Sequence, residues 1–243
     1  MIRKDAVTVV ENTATVVNFD FATEGFAMEP HSVALEGVAS GETTKVEMRL
    51  RNKPGGTSFS SQLADGSYLA LPTSELRGDD IHAITATAYA ADGSSYRQLR
   101  RWFVAAEDFT ATLPAVPPPG LIGSDTADPY IRMRATIPDG FDADLYDLVY
   151  TQLTSTQSHM TWDVKLTKGY IAAGNVATYT LPDFTVLDSF KLSWGFMPAI
   201  EVEWQVFTMF SDAGVADLVH VDQSAAALDG RLQEITQRSG HFP

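Results

Sequence analysis

The chain has 243 residues, a formal net charge of −14 and no cysteine. Its length suits one large or two ordinary domains, and 44% hydrophobic with 20% charged residues is typical of a globular fold. The lack of cysteine excludes disulfides and thiolate metal sites, and the acidic charge disfavours nucleic acid and anionic membrane surfaces as partners.

The opening of the chain gives no sign of a membrane segment. Residues 1–5 lack the apolar core of a signal peptide, and no run of about 18 apolar residues follows that would span a bilayer. We therefore expect no membrane insertion by this segment. Further along, Val17, Phe19 and Phe21 alternate with polar residues and predict a first strand.

The order of strands in the first half recurs in the second half. Val46–Leu50 and Trp162–Leu166 both read apolar, acid, apolar, base, apolar, and four other matches stay collinear. These are Val17–Phe21 with Ile131–Ala135, Glu24–Phe26 with Asp139–Phe141, Tyr68–Pro72 with Tyr179–Pro182, and Ile84–Gly93 with Trp204–Gly214. Such collinearity predicts a duplicated strand scaffold.

A proline-rich segment, Leu113–Gly120, separates the two halves and favours an extended spacer. We therefore predict an N-terminal domain over residues 1–114, a linker over 115–126 and a C-terminal domain over 127–243.

Period-two patterning dominates both halves. His159–Thr167 and Ile200–Phe210 alternate apolar with polar residues, as half-buried strands do. The best helical window is Ser224–Arg238, but Gly230 interrupts it and its second part also fits a strand. The pattern predicts an all-β fold of two tandem antiparallel β-sandwich domains, immunoglobulin-like or transthyretin-like.

One stretch resembles a known family. Ala64–Pro72, then Ile84–Ala90 and Asp92–Gly93, form a turn, a strand that stops at proline and an alanine-rich strand. This order resembles the carboxypeptidase regulatory-like, transthyretin-type (prealbumin-like) β-sandwich modules of bacterial surface proteins. Fibronectin type III and other immunoglobulin-like sandwiches use similar strand and turn chemistry.

The resemblance implies a noncatalytic module for spacing, display or ligand contact in a secreted or lipid-anchored protein. The segment Ala6–Phe21 also resembles a terminal strand pair of such a module. We therefore expect the chain to be a piece of a longer polypeptide, with an export signal or lipid anchor upstream.

Motifs for catalysis are missing from the sequence. It has no Gly-x-Ser-x-Gly, phosphate loop, His-Glu-x-x-His or Gly-x-Gly-x-x-Gly. Single structural or surface roles are expected for all five histidines, which are His31, His82, His159, His220 and His241.

Two acidic groups are weak candidates for chemistry. Asp139, Asp142, Asp144 and Asp147 are spaced as calcium ligands, but they depart from the calcium-loop pattern, and a solvated acidic turn is favoured. Glu201 and Glu203 share one strand face about 7 Å apart, as paired catalytic carboxylates do. A solvent-exposed strand face, on which alternating acids prevent edge pairing, is the favoured interpretation of these two residues.

Aromatic residues offer a binding alternative. Trp162 and Trp204 are in phase with apolar neighbours and are predicted to lie in a core. Trp194, in a segment that continues with Gly195 and Pro198, and Tyr170, beside Gly169, are candidates to stack on a sugar ring.

A short basic run, Arg97, Arg100 and Arg101 with Trp102, stands out in the acidic chain. Arg97 and Arg101 share one strand face, and Arg100 and Trp102 share the other. An acidic partner or the other domain would suit this run, and a solvated strand face is the simpler interpretation.

The sequence therefore predicts a noncatalytic tandem β-sandwich module of a secreted or cell-surface bacterial protein. It is expected to use no cofactor and to contact an unidentified protein or glycan. The alternatives are a carbohydrate-binding module that uses Trp194 and Tyr170, and a hydrolase whose site no motif reveals.

Overall fold

A computed structural model describes residues 1–4, 7–52, 56–57, 59–62, 66–116, 121–125, 129–137, 143–155, 158–174, 178–219 and 224–242. The strands of the first half are β1 Glu29–Glu36, β2 Thr43–Arg51, β3 Phe59–Gln62, β4 Ser67–Ala70, β5 Ile81–Tyr89, β6 Ser95–Phe103 and β7 Phe109–Thr112. Those of the second half are β8 Ile122–Ser124, β9 Met133–Thr136, β10 Leu145–Ser155, β11 Ser158–Thr167, β12 Thr178–Thr180, β13 Val202–Ser211 and β14 Leu232–Phe242. Three short helices are α1 Lys168–Gly174, α2 Val215–Val219 and α3 Ala225–Leu228.

The strands form one large sheet and two small ones. The large sheet has eight strands in the order β11-β10-β13-β14-β6-β5-β2-β3, and each small sheet has three, β4-β1-β7 and β12-β9-β8. The large sheet is antiparallel throughout, whereas β1 and β7 pair in parallel. The fold is therefore all-β, as the period-two pattern predicts.

The large sheet reads the same from both ends. From each edge inward, the strands are β3-β2-β5-β6 on one side and β11-β10-β13-β14 on the other, so each strand number on the second side is eight higher than its counterpart. The two sides meet where β6 and β14 pair antiparallel. The structure thus shows a repeated strand topology, joined across the middle of the sheet.

Each small sheet packs against one half of the large sheet, and a hydrophobic core lies between the two. The first core contains side chains of β1, β2, β4, β5, β6 and β7, with Met48, Leu50 and Ile84 at its centre. The second contains side chains from β9, β10 and β13, with Leu148 and Tyr150 fully buried. Two sandwiches are therefore present, and they share one continuous sheet.

Strand β14 contributes to both cores. Leu232 at its start packs against the first core, and Phe242 at its end packs against the second. Between them, the Thr236 hydroxyl bonds that of Thr208 at 2.5 Å in a buried position, and burial raises the pKa of Glu234. A polar seam therefore separates the two cores on this face of the sheet.

Helices α2 and α3, between β13 and β14, lie on the opposite face of the sheet. Asp217 in α2 is buried, accepts hydrogen bonds from Ser211 (2.7 Å) and Gln233 (2.8 Å), and forms an ion pair with Arg231. Ala225 and Leu228 of α3 pack with Ile81, Ala83 and Trp102 into a third, small cluster.

Two of the predicted equivalences are wrong. Val17–Phe21 belongs to no strand, and the partner of β9 in the repeat is β1, which begins at Glu29. Val46–Leu50 lies in β2, second from one edge, whereas Trp162–Leu166 lies in the edge strand β11. The equivalent of β2 is β10, which is second from the other edge. The prediction failed because alternation of side chains reveals a strand but not which strands lie beside it.

Two other equivalences agree with the topology. Tyr68–Pro72 and Tyr179–Pro182 overlap β4 and β12, which hold the same place in the two small sheets. Ile84–Gly93 and Trp204–Gly214 overlap most of β5 and β13, which likewise correspond. The turn at 139–141 lies outside the described residues.

The predicted linker contains structure. Ile122–Ser124, within the 115–126 segment, forms β8 and pairs with β9. Residues 117–120 and 126 lie outside the described residues, and the domain division at 114 and 127 stays a prediction. The window Ser224–Arg238 divides into α3 and β14, so that Gly230 marks a boundary, as one of the two interpretations of this window expects.

We expect Gly240→Ala to destabilise the protein by about 1–3 kcal/mol through overpacking. A Cβ at Gly240, directly opposite Trp204 in the β13–β14 pair, would lie 2.9 Å from Trp204 Cε2. Because Trp204 packs against the second core, its ring cannot yield freely. Urea unfolding followed by circular dichroism measures the loss. Gly169→Ala is the matched control, since its Cβ would meet its nearest neighbour at 4.0 Å. Equal stability of both variants would contradict the packing argument.

Candidate functional site

The most exposed apolar surface of the second half lies on the connection from β12 to β13, residues 181–201, which we call the aromatic loop. Its counterpart from β4 to β5 covers only residues 71–80, although both begin with Leu-Pro. Five of its side chains are between 41% and 76% exposed: Val186, Leu187, Leu192, Trp194 and Met197. A run of exposed apolar side chains on a loop is typical of a contact surface.

Tyr130 holds the base of the aromatic loop. Its buried hydroxyl donates a hydrogen bond to the Pro182 carbonyl (3.1 Å) and accepts one from the Phe184 amide (2.9 Å). The loop returns over the same ring at Gly195, where a Cβ would lie 2.6 Å from Tyr130 Cβ. Tyr68 acts similarly in the first half, bonding the carbonyl and amide of Glu107.

Aromatic contacts continue from this base to the tip of the loop. Phe184 stacks on Trp162 of β11 with ring centroids 5.0 Å apart, and Phe190 meets the Trp194 ring edge-on at 6.1 Å. Trp162 Nε1 donates to the Trp194 carbonyl at 3.2 Å, and Lys191 Nζ lies 5.7 Å from the Trp194 ring centroid. Trp194 is therefore an exposed ring in a fixed position.

An open groove of about 520 Å³ runs between this loop and the edge strand β11. It is lined by His159, Met160, Thr161, Trp162, Ser193 and Trp194. Two indoles supply flat apolar area, while the imidazole and two hydroxyls supply hydrogen-bonding groups. The groove also follows the outer edge of the large sheet, where backbone groups of β11 have no neighbouring strand. Such a mixture suits a ligand with both apolar faces and polar edges.

The two aromatic residues predicted to bind a ligand are both exposed but lie apart. Trp194 lines the groove, whereas Tyr170 lies in α1 beyond the far end of β11. Tyr170 does not line the groove, and a ligand site that combines both residues stays a prediction. Trp162 and Trp204 are half-buried against the second core, as predicted.

The acidic candidates have partners within the chain. Asp144 accepts a hydrogen bond from the Ser211 amide (3.0 Å), and Asp147 pairs with Lys165, which also binds Asp163. Burial raises the pKa of Asp147. Asp139 and Asp142 lie outside the described residues, and the calcium hypothesis stays a prediction. Among the described residues, no three His, Asp or Glu side chains converge as a metal site.

Glu203 lines a second recess of about 400 Å³ together with Asp92, Trp204 and His241. It forms where the turn from β5 to β6 ends beside β14, and the Glu201 carboxylate contacts His241 Nδ1 there. The recess is formed by the Trp204 indole over Gly240 and by the nearby turn. The spacing of Glu201 and Glu203 along the chain gave no indication of either. The catalytic role of the pair stays a prediction.

The described histidines have separate surroundings. His82 is buried: its Nε2 accepts from the Leu71 amide at 3.1 Å and its Nδ1 lies 3.0 Å from the Val104 carbonyl. Burial lowers its pKa, so the ring is neutral and structural. His31 stacks on Tyr68, and His159 lines the groove. His220 lies outside the described residues.

The basic run divides between the two faces of the large sheet, as its strand parity predicts. Arg97 is buried, pairs with Glu42 and donates to the carbonyls of Gly37 (2.8 Å) and Pro114 (2.9 Å). Arg101 pairs with Glu107 at the other end of that face. Arg100 and Trp102 lie on the opposite face, in a pocket.

Comparisons with known proteins assign neither a family nor a function to this chain. No protein-family model matches the sequence, and no curated protein does. Among solved structures, the chain is similar to the chicken CNTN1 FN1–FN3 domains, with 10% sequence identity over 75% of this chain and 60% of that chain, at a TM-score of 0.24. The chain thus spans less than two thirds of that structure. At this TM-score the likeness supports no argument, and the β-sandwich assignment rests on the strand pairing and the two cores.

None of the helices in the described ranges is long and apolar enough to cross a membrane.

We expect Gly195→Ala to loosen the aromatic loop. The added methyl group would overlap the root of the Tyr130 side chain, which is buried and cannot swing aside. Limited digestion with trypsin should therefore cleave after Lys191 several-fold faster, on the order of the population shift from a 1 kcal/mol loss. Gly169→Ala serves as the control. An unchanged cleavage rate at Lys191 would show that the Tyr130 contact does not hold the loop.

Proposed function

We propose that this chain is a noncatalytic contact module of a secreted or cell-surface protein, and that the aromatic loop and its groove form the contact site. The observation that carries the proposal is the fixed exposure of Trp194. The residue is 51% exposed although Phe190 contacts its ring edge-on and its carbonyl accepts a hydrogen bond from Trp162. An exposed aromatic ring on an ordered support loses little conformational entropy on binding.

The distribution of charge and apolar side chains supports contact with a macromolecule. Val186, Leu187 and Leu192 extend the apolar surface beyond the groove, and Asp183, Asp188 and Lys191 supply a polar surround. An apolar centre with a polar rim is the usual arrangement at protein interfaces. The repeated sandwich supplies a rigid base from which the loop extends.

Photo-crosslinking on intact source cells tests this role. A photoreactive residue in place of Leu192, on the aromatic loop, is expected to give a discrete crosslinked species at the cell surface or in the medium. The matched control replaces Val38, another exposed apolar residue, on the first half. Crosslinks that form equally at both positions, or only after the cells are lysed, would argue against this function.

A carbohydrate-binding role is the second candidate, and the composition of the groove favours it. Trp194 can stack on a sugar face while Thr161, Ser193 and His159 hydrogen-bond hydroxyl groups. Tyr170 does not line the groove, so within the groove this candidate uses Trp194 alone of the two predicted residues.

A glycan array separates the two candidates. If the groove binds sugar, Trp194→Ala should abolish binding to the recognised glycans, since loss of a stacking ring costs about 1–3 kcal/mol. Tyr170→Ala, which removes an equally exposed ring away from the groove, should leave binding intact. Absence of glycan binding by the unaltered protein would eliminate this candidate and leave the protein-contact role.

A further inference from the structure

A basic pocket lies on the face of the large sheet opposite the first core. Its walls are Arg49 and Arg51 of β2 on one side and Arg100 and Trp102 of β6 on the other. Between them runs β5, which pairs Ala83 with both Arg49 and Trp102 and Thr85 with Arg100. The arginines therefore face each other across one intervening strand.

Small side chains give this pocket its depth. Ala83 and Thr85 form the floor, Thr57 contributes at the rim, and the cavity measures about 230 Å³. One end is bounded by the cluster in which Ala225 and Leu228 pack with Trp102 and Ala83. The volume admits one tetrahedral anion and several waters, at about 30 Å³ per water.

Two arginines of the pocket, Arg49 and Arg100, differ in their partners. Glu47 pairs with Arg49 and also with Lys45. Within the described residues, Arg100 contacts no carboxylate: it bonds the Thr85 hydroxyl and the Gln98 amide oxygen, both at 3.4 Å, and lies 5.6 Å from the Trp102 ring centroid. In the sequence, residues 52–58, which follow β2, contain no acidic residue.

The burial of Arg100 and its two arginine neighbours affect the pKa of its guanidinium. Its partial burial lowers the pKa of the guanidinium, and the charges of Arg49 and Arg51 lower it further. Cations that are held together in this way, inside an otherwise acidic chain, gain most from a bound anion.

We propose that this pocket binds a tetrahedral oxyanion, phosphate or sulfate, either as the free ion or as the terminal group of an ester. Guanidinium groups bind such oxygens with paired, charge-assisted hydrogen bonds, and here they approach from both walls. The hydroxyls of Thr85 and Thr57 add neutral donors. The site lies in the first half, away from the aromatic loop, and is independent of the proposed function.

The pocket fits a single anionic group better than a polyanion. Its cations converge on one small cavity, and the formal charge of the whole chain is −14. A long polyanion would meet repulsion as soon as it extended beyond the pocket.

Calorimetric titration of the full chain with sodium phosphate, sodium sulfate and sodium acetate, at constant ionic strength set with chloride, tests the proposal. Phosphate and sulfate should bind more tightly than acetate, and Arg100→Gln should weaken phosphate binding about tenfold or more. Arg132→Gln, which removes an arginine of the second half that pairs with Asp125, is the matched control and should bind normally. Phenyl phosphate forms a further arm: tighter binding than inorganic phosphate assigns the site to esters, and equal or weaker binding assigns it to the free ion.

A second measurement separates a binding role from a structural one. In chloride at low ionic strength, Arg100→Gln should melt no lower than the unaltered protein, because it removes mutual repulsion among the arginines. Phosphate should raise the melting temperature of the unaltered protein and of Arg132→Gln but not that of Arg100→Gln. Arg100→Lys, which keeps the charge without the planar fork, should retain part of the effect. The proposal is overturned if phosphate binds no better than acetate, or if Arg100→Gln responds to phosphate as the unaltered protein does.

Discussion

Pairing between β6 and β14 is the interaction on which the rest of this structure depends. Seven residue pairs, from Arg101 with Leu232 to Ser95 with Arg238, join two four-stranded sheets into one of eight. Because β14 also carries Leu232 into the first core and Phe242 into the second, the same strand ties both cores together. The polar seam of Thr208, Thr236 and Glu234 lies along this strand and keeps the two apolar cores distinct.

The strands themselves could be inferred from the sequence because burial on one face of a sheet imposes a period of two. His159–Thr167 and Ile200–Phe210 show this directly, and both are strands. Which strand pairs with which could not be inferred, since partners are chosen by packing between residues far apart in the chain. For that reason Val46–Leu50 matched Trp162–Leu166 in composition although β2 and β11 hold different places in the sheet.

The same limit explains what could be predicted about binding. The exposure of Trp194 follows from its neighbours in the chain, glycine and proline, and could be anticipated. Its position beside His159 and Thr161 depends on the Tyr130 contacts, which join residues more than fifty positions apart. Likewise, the basic run showed Arg100 but not Arg49 or Arg51, which reach it only because β5 lies between β2 and β6. Alternation along β6 did separate Arg97 from Arg100 correctly.

The two candidate sites use the fused sheet differently. The groove lies at its outer edge, where a strand lacks a neighbour and a long loop can fold against it. The basic pocket lies on the broad face, where small residues on a middle strand leave space between longer side chains. A rigid sheet that serves both positions can place two different ligands at fixed separation.

The mirrored strand order determines which strand each half would expose if the two halves were separated. In either half alone, the innermost strand, β6 or β14, would be an edge strand. Its unpaired amides and carbonyls could then form hydrogen bonds with a strand of another chain. A second copy of the same half could pair with this edge strand, because the strand order from each outer edge inward is identical. The large sheet therefore has the strand order expected of two identical halves paired edge to edge, contained within one polypeptide, and Gln98 with Ile235 is the middle pair of the β6–β14 ladder.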